Sequence, residues 1–188
     1  MHLINQGHES VLEHISWTFL ITGISRAFTH QLVRHRVGFS YSQLSQQYHD
    51  ESEASFVIPP AVASCKKTTA EWMSTIQSNI ELYQKLIRQI ELENHLNSES
   101  KRERLRDLRS ACRSVLPNAT ETKIVVTANA RALRHFFKMR GALEGDWEMR
   151  AVSCALYKIV QKDAPAVFQD FSIEFINNGS EKLVSNKI

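Results

Sequence analysis

Residues 34–36, Arg-His-Arg, place three cationic or titratable side chains in a row, and the stretch behind them, VGFSYSQLSQQY (37–48), carries no charge. A solvated basic face would interleave acids, and a core segment would not hold so many hydroxyls and amides. Guanidinium, imidazole, hydroxyl and amide groups gathered this densely suit an anionic ligand rich in polar groups. The preceding ISRAFTHQLVRHR reads as a short helix over 24–36 with Ser25 as its cap. At 100° per residue Ala27, Gln31 and Arg34 share one face, so the glutamine and the arginine reach one ligand together.

A second constellation lies at 117–140, PNATETKIVVTANARALRHFFKMR. On a helix starting near 130, Arg131 and His135 are four apart and share a face. Arg140 falls on the opposite, apolar side with Leu133, Phe136 and Phe137. A guanidinium there needs an anion or a set of acceptors, because burying it unpaired is costly. Otherwise it snorkels from the helix end, its stem covering the phenylalanines; this helix alone weighs the two readings evenly. His8, in GHESVLEH, reads by itself as a hydrogen-bonded structural residue. The eight histidines form neither HxxxH nor HExxH, so no metal is expected. Neither GxGxxG nor GxxxxGKS/T is present, which argues against Rossmann and P-loop nucleotide sites. Arg113 reads as a solvated helix-end arginine. Lys101, Arg102, Arg104, Arg106 and Arg109, offset by Glu103 and Asp107, read as an exposed helix face.

The elements that must position these groups follow from periodicity. HISWTFLIT (14–22) alternates strictly, with Ile15, Trp17, Phe19 and Ile21 on the buried side, and Gly23 is expected to end that strand. Residues 37–50 read as a shaped loop with some extended backbone. SFVIPP reads as a short strand closed by Pro59 and Pro60. Apolar residues from Trp72 to Ile90 recur at helical spacing, predicting one amphipathic helix over 68–93. NHLNSES (94–100) breaks it, a further helix runs over 101–116, and Pro117 stops that one. ETKIVVTANA is a β-branched strand, RALRHFFKMR a short helix, 146–162 another, and FSIEF a last strand. The expected class is α/β (α+β), a small sheet packed with long helices.

The 188 residues fit one domain spanning 1–188, with a real core. A net charge of +3 suits a small anionic ligand better than a dedicated nucleic-acid interface. No apolar run is long enough to span a bilayer and the first residues lack a secretion signal, so the expected setting is cytoplasmic, without a membrane partner. Cys65, Cys112 and Cys154 are scattered, and each is expected to be a reduced, buried, apolar-type residue.

Arg34–Tyr48 resembles the signature of flavin-dependent thymidylate synthases, RHR, seven residues, then a serine. GHESVLEH, GISRAFTHQLVRHR, RSVLPNATETKIVVTANARALRHF and MR are similar to the family as well, in the family's order, and together cover most of the chain. The resemblance implies a small, mostly antiparallel sheet packed with long helices. It also implies formation of dTMP from dUMP, with the methylene from methylenetetrahydrofolate and a hydride from FAD reduced by NADPH. No cysteine nucleophile is needed, since a cation polarises the uracil instead. By position, Arg140 matches the arginine at the uracil edge and, with Ser45, the catalytic pair. Gln31, Arg34, Gln43, Ser45, Gln47, Arg113 and Arg140 match positions that hold dUMP. His8, Ser10, Arg34, His35, Arg36, Asn129, Arg131 and His135 match positions around FAD. A homotetramer with sites where subunits meet is implied, without nucleic acid.

Three departures stand out. Eight residues rather than seven separate Arg36 from Ser45, with Gly38 the apparent insertion. Gln47 stands where the family usually has an arginine on the nucleotide phosphate. The sequence opens close to GHES, where family members usually carry a further strand and helices upstream. Alternative readings are a UMP or other uridylate methylase of the same family, and an inactive FAD- or nucleotide-binding paralogue. A basic helical nucleic-acid binder is a weaker third, predicting affinity that falls steeply with salt.

Overall fold

A computed structural model describes residues 4, 6–93 and 100–186. The elements in chain order are strand β1 (Ser16–Ser25), helix α1 (Arg26–Leu32), strand β2 (Phe39–Gln43), helix α2 (Pro60–Ala63) and helix α3 (Lys66–Glu93). Then come helix α4 (Lys101–Cys112), strand β3 (Glu121–Asn129), helix α5 (Ala130–Arg140), helix α6 (Trp147–Asp163) and strands β4 (Phe171–Phe175) and β5 (Glu181–Ser185). Short 3-10 turns cover Glu9–His14 and Arg113–Val115. β1, β3 and β2 form one sheet in that order, and β4 pairs antiparallel with β5. The class is mixed α/β, small antiparallel sheets packed with helices, as expected.

The chain divides into two compact units: Met1–Ile21 with His30–Ser42 and Val125–Ile188, and Thr22–Thr29 with Gln43–Ile124. In the first, α5 carries the core. Its ARALRHFFKMR spacing puts Ala132, Leu133, Phe136 and Phe137 on one buried face. Asn129 caps the start by accepting from the Ala132 amide, satisfying one of the first-turn donors. Phe137 packs its ring edge-on against Tyr157 of α6, Phe168 and Phe171, with centroids 5.8 to 6.1 Å apart. Arg134, only 3% exposed, sits in this apolar surround because Asp170 takes it bidentately at 2.6 and 2.7 Å. In the second unit Tyr83, Leu86, Ile87 and Ile90 of α3 close over Leu105, Leu108 and Cys112 of α4, the stripes that periodicity predicted.

Several boundaries differ from the sequence reading. β1 starts at Ser16 and runs through Gly23, whose φ of +68° shifts the phase so that Ile24 and Ser25 are both buried. Ser25 does cap α1, accepting from the Phe28 amide at 3.0 Å. That helix stops at Leu32 rather than 36, because the Tyr41 hydroxyl bonds the Leu32 and His35 carbonyls and pins a turn there. SFVIPP makes only a single antiparallel bridge, Phe56 to Thr120, and Pro60 opens α2 instead of closing a strand. The predicted 101–116 helix tightens to 3-10 after Cys112. β5 is absent from the sequence reading, although the NNGS turn with Gly179 at φ +78° is its signal. Cys112 and Cys154 are buried as expected, but Cys65, between α2 and α3, is exposed. The break read at 94–100 lies, but for Ser100, outside the described residues.

Candidate active site

In the first unit the Arg-His-Arg turn is built from backbone upward. Arg34 N donates to Gln31 O and His35 N to Leu32 O, at 3.2 and 3.0 Å. Phe39 N closes on Arg36 O, and Asn129 N donates to Gly38 O at 3.1 Å. Gly38 has φ +73°, and a Cβ there would fall 2.7 Å from Asn129 Nδ2 and 2.8 Å from Ala132 Cβ. The apparent insertion is therefore a residue that only glycine can be. It also lets the turn press against the start of α5.

His35 is half-buried, its ring edge-on to Phe136 at 5.1 Å and 6.5 Å from His135. Arg140 Nε donates to His35 Nε2 at 3.0 Å, and no other side-chain bond of Arg140 is found among the described residues. Burial, then the charge of Arg140, then His135, lower the His35 pKa, keeping the ring a neutral acceptor. Neither sequence reading of Arg140 is quite met: the guanidinium is half-buried, with an imidazole as its acceptor. Gln31 is tied to Asp146, donating at 2.8 Å, and Asp146 in turn caps α6. Arg34 and Arg36 are exposed, with no carboxylate partner among the described residues.

Beside this turn lies a cavity of about 420 Å³ lined by Val37, Gly38, Asn129, Arg131, Ala132 and His135, with Glu9, Glu13, Arg134 and Lys138. Asn129, Arg131 and His135 all line this cavity. His8 and Ser10 are exposed on either side of Glu9. Arg131 is already engaged, at 2.6 Å from Glu13 and 3.6 Å from Glu9, a pairing the sequence reading did not foresee.

The second unit holds Gln43, Ser45, Gln47 and Arg113. Gln43 Nε2 donates to Thr29 and Thr122 hydroxyls at 3.0 and 3.4 Å. Ser45 Oγ accepts from the Gln47 amide at 3.3 Å, while its carbonyl takes the Tyr48 and His49 amides, making a tight turn. Arg113 ends α4, half-buried. Arg26, which the sequence reading did not single out, donates to Leu44 O at 3.1 Å and lies 3.6 Å from buried Glu51. Burial lowers its pKa, Glu51 opposes, and Arg113 lowers it further, so two guanidiniums stand near one another here. A cation as first residue of a helix opposes the macrodipole, and that was the signal for Arg26.

Comparison with known proteins decides the family. A family model described as thymidylate synthase complementing protein matches residues 1–166. The chain belongs to the flavin-dependent thymidylate synthases. Relatives carrying that name are 44% identical over 185 residues in Mycobacterium sp. (strain KMS) and 44% over 186 in Mycobacteroides abscessus. A third, from Corynebacterium efficiens, is 40% identical over 186 residues. The matches cover 96–98% of this chain and 72–73% of those relatives.

The donor set of the 420 Å³ cavity fits the flavin that the family name specifies. Lys138, His135 and the Asn129 amide are donors on its wall, Glu9 and Glu13 are acceptors, and Gly38 lets the turn press against Asn129 and Ala132 at its edge. Burial pushes the Cys154 thiol up to about 11 and raises Cys112 as well, whereas hydrogen bonds from the Thr68 and Lys67 amides lower the exposed Cys65 thiol.

Proposed function

We propose that the chain reductively methylates dUMP to dTMP, with methylenetetrahydrofolate as carbon donor and NADPH-reduced FAD as hydride donor. The observation that carries this reading is the Arg140 fork. Its Nε is anchored on His35 while both Nη atoms remain unbonded among the described residues. A guanidinium held that way suits a uracil carbonyl and ring nitrogen, where negative charge grows as C5 attacks. Ser45 is the second proposed catalytic group. Gln31, Arg34, Gln43, Ser45, Gln47, Arg113 and Arg140 are the proposed holders of dUMP. They act in a homotetramer where copies of the chain meet.

His8, Ser10, Arg34, His35, Arg36, Asn129, Arg131 and His135 are proposed to hold FAD, which when bound supplies the hydride. The chain's own work is to orient the two rings, hold the phosphates and exclude water. Among the described residues no helix is long and apolar enough to cross a membrane. We place the activity in the cytoplasm and assign residues 1–188 to one functional domain.

Anaerobic turnover of dUMP and UMP side by side, with methylenetetrahydrofolate, NADPH and FAD, tests the proposal. dTMP is expected from dUMP. Arg140→Ala should cut methylation by roughly a hundredfold or more while the protein stays yellow. Absence of dTMP, or a variant as fast as the parent, would end this reading.

A further inference from the structure

The basic run of α4, from Lys101 to Arg109, reads in sequence as a solvated face. The structure turns part of it onto the 45–48 turn. Gln47 Nε2 donates to Ser110 Oγ at 3.3 Å, and Gln47 Oε1 accepts from Arg106 Nε at 3.3 Å. The guanidinium carbons of Arg106 and Arg102 lie 5.6 and 5.8 Å from the centroid of the Tyr48 ring, within cation–π range. Arg109 Nη1 donates to the Tyr48 carbonyl at 2.7 Å. These side chains border a cavity of about 350 Å³ that Leu105 helps line.

The charge here is only partly compensated, by Glu103 on Arg106 and by Asp50, which acts on Arg109 through space. Among the described residues, the one carboxylate within 4 Å of Arg102, Arg106 or Arg109 is Glu103, 3.4 Å from Arg106, and both of those are half-buried. Residues 37–48 carry no charge of their own. The Gln47 amide faces α4, so the nearest cation gripped by a side chain of this turn is Arg106. Three guanidiniums against two carboxylates leave a net positive charge that favours an anion, and a planar fork suits a phosphate.

We propose that Arg106 supplies the charge that receives the nucleotide phosphate at the 45–48 turn. Gln47 and the Tyr48 ring hold its guanidinium in place, and Arg102 and Arg109 reinforce the positive field. Arg106 thereby takes the role for which residue 47 is uncharged. The assignment rests on the nucleotide reading above and adds to it a residue outside the signature.

The test is calorimetric binding of dUMP and of deoxyuridine, which lacks the phosphate, to FAD-loaded protein. Arg106→Ala should weaken dUMP roughly tenfold to a hundredfold and leave deoxyuridine unchanged. Arg106→Lys, which keeps the charge but not the fork, should fall between. Adding Gln47→Arg to the alanine variant should restore most of the loss. Undiminished dUMP binding by Arg106→Ala would overturn the assignment while leaving the proposed function standing. Equal losses for both ligands would also overturn it, marking Arg106 as a scaffold of the turn. A parent protein that binds flavin but neither ligand would remove the nucleotide reading itself.

Discussion

At the scale of single residues, the bond from Arg140 Nε to His35 Nε2 sets the state of both groups. It requires a bare Nε2, so the neutral imidazole carries its proton on Nδ1. Burial and the neighbouring guanidinium hold the His35 pKa below its ordinary 6.5. The unfolded chain therefore binds this proton more readily than the folded one. The group's contribution to stability is complete above about pH 6.5 and is lost as pH falls through that value toward the folded pKa. An isotope-resolved titration of the ring should give a midpoint under 6.5, and Arg140→Ala should move it upward. A midpoint above 6.5 in the parent would contradict the bond's assigned direction. The types of these residues were plain in the sequence, since RHR and an arginine beside two phenylalanines are local patterns. Their pairing, 105 residues apart, was not.

At the scale of elements, two joints position the wall of the proposed flavin cavity. The first is the Arg36–Phe39 turn, where Gly38 combines a positive φ with no room for a Cβ. Gly38→Ala should cost about 1–3 kcal/mol in urea unfolding and weaken flavin uptake, read from absorbance, because the turn must lift off Asn129. The second joint is Arg134 of α5 on Asp170. Burial alone would raise the Asp170 pKa; hydrogen bonds and charge from Arg134 outweigh it and hold the carboxyl below its ordinary value. The pair's contribution is thus present above about pH 4 and is lost as pH drops through the depressed value. Asp170→Ala leaves a guanidinium buried without its partner and should cost about 3–5 kcal/mol, seen as an early thermal transition. The helical stripes of α3, α4 and α5 could be read from spacing because burial imposes a 3.6-residue period. The end of α1 could not, because a hydroxyl nine residues away, on Tyr41, decides it.

For the whole molecule, the proposed homotetramer makes a direct prediction. Sedimentation equilibrium should report a mass near four times the 21.6 kDa protomer, and a lone protomer that still turned over dUMP would remove the need for shared sites. By itself the sequence determined the family, the helix-rich class with its small sheet, and the chemical character of nearly every candidate group. Those properties reside in residue types and short spacings, which survive without a fold. Only the tertiary structure decided which of those groups are free to act. Arg131 is engaged by Glu13, 118 positions earlier, and Arg106 is drawn from a helix face onto Gln47, 59 positions away. Arg140 keeps an open fork because His35 takes its Nε. Hydrogen bonds and ion pairs act over a few ångströms of space whatever the distance along the chain, so partners this remote leave no periodic trace for a reader of the sequence to find.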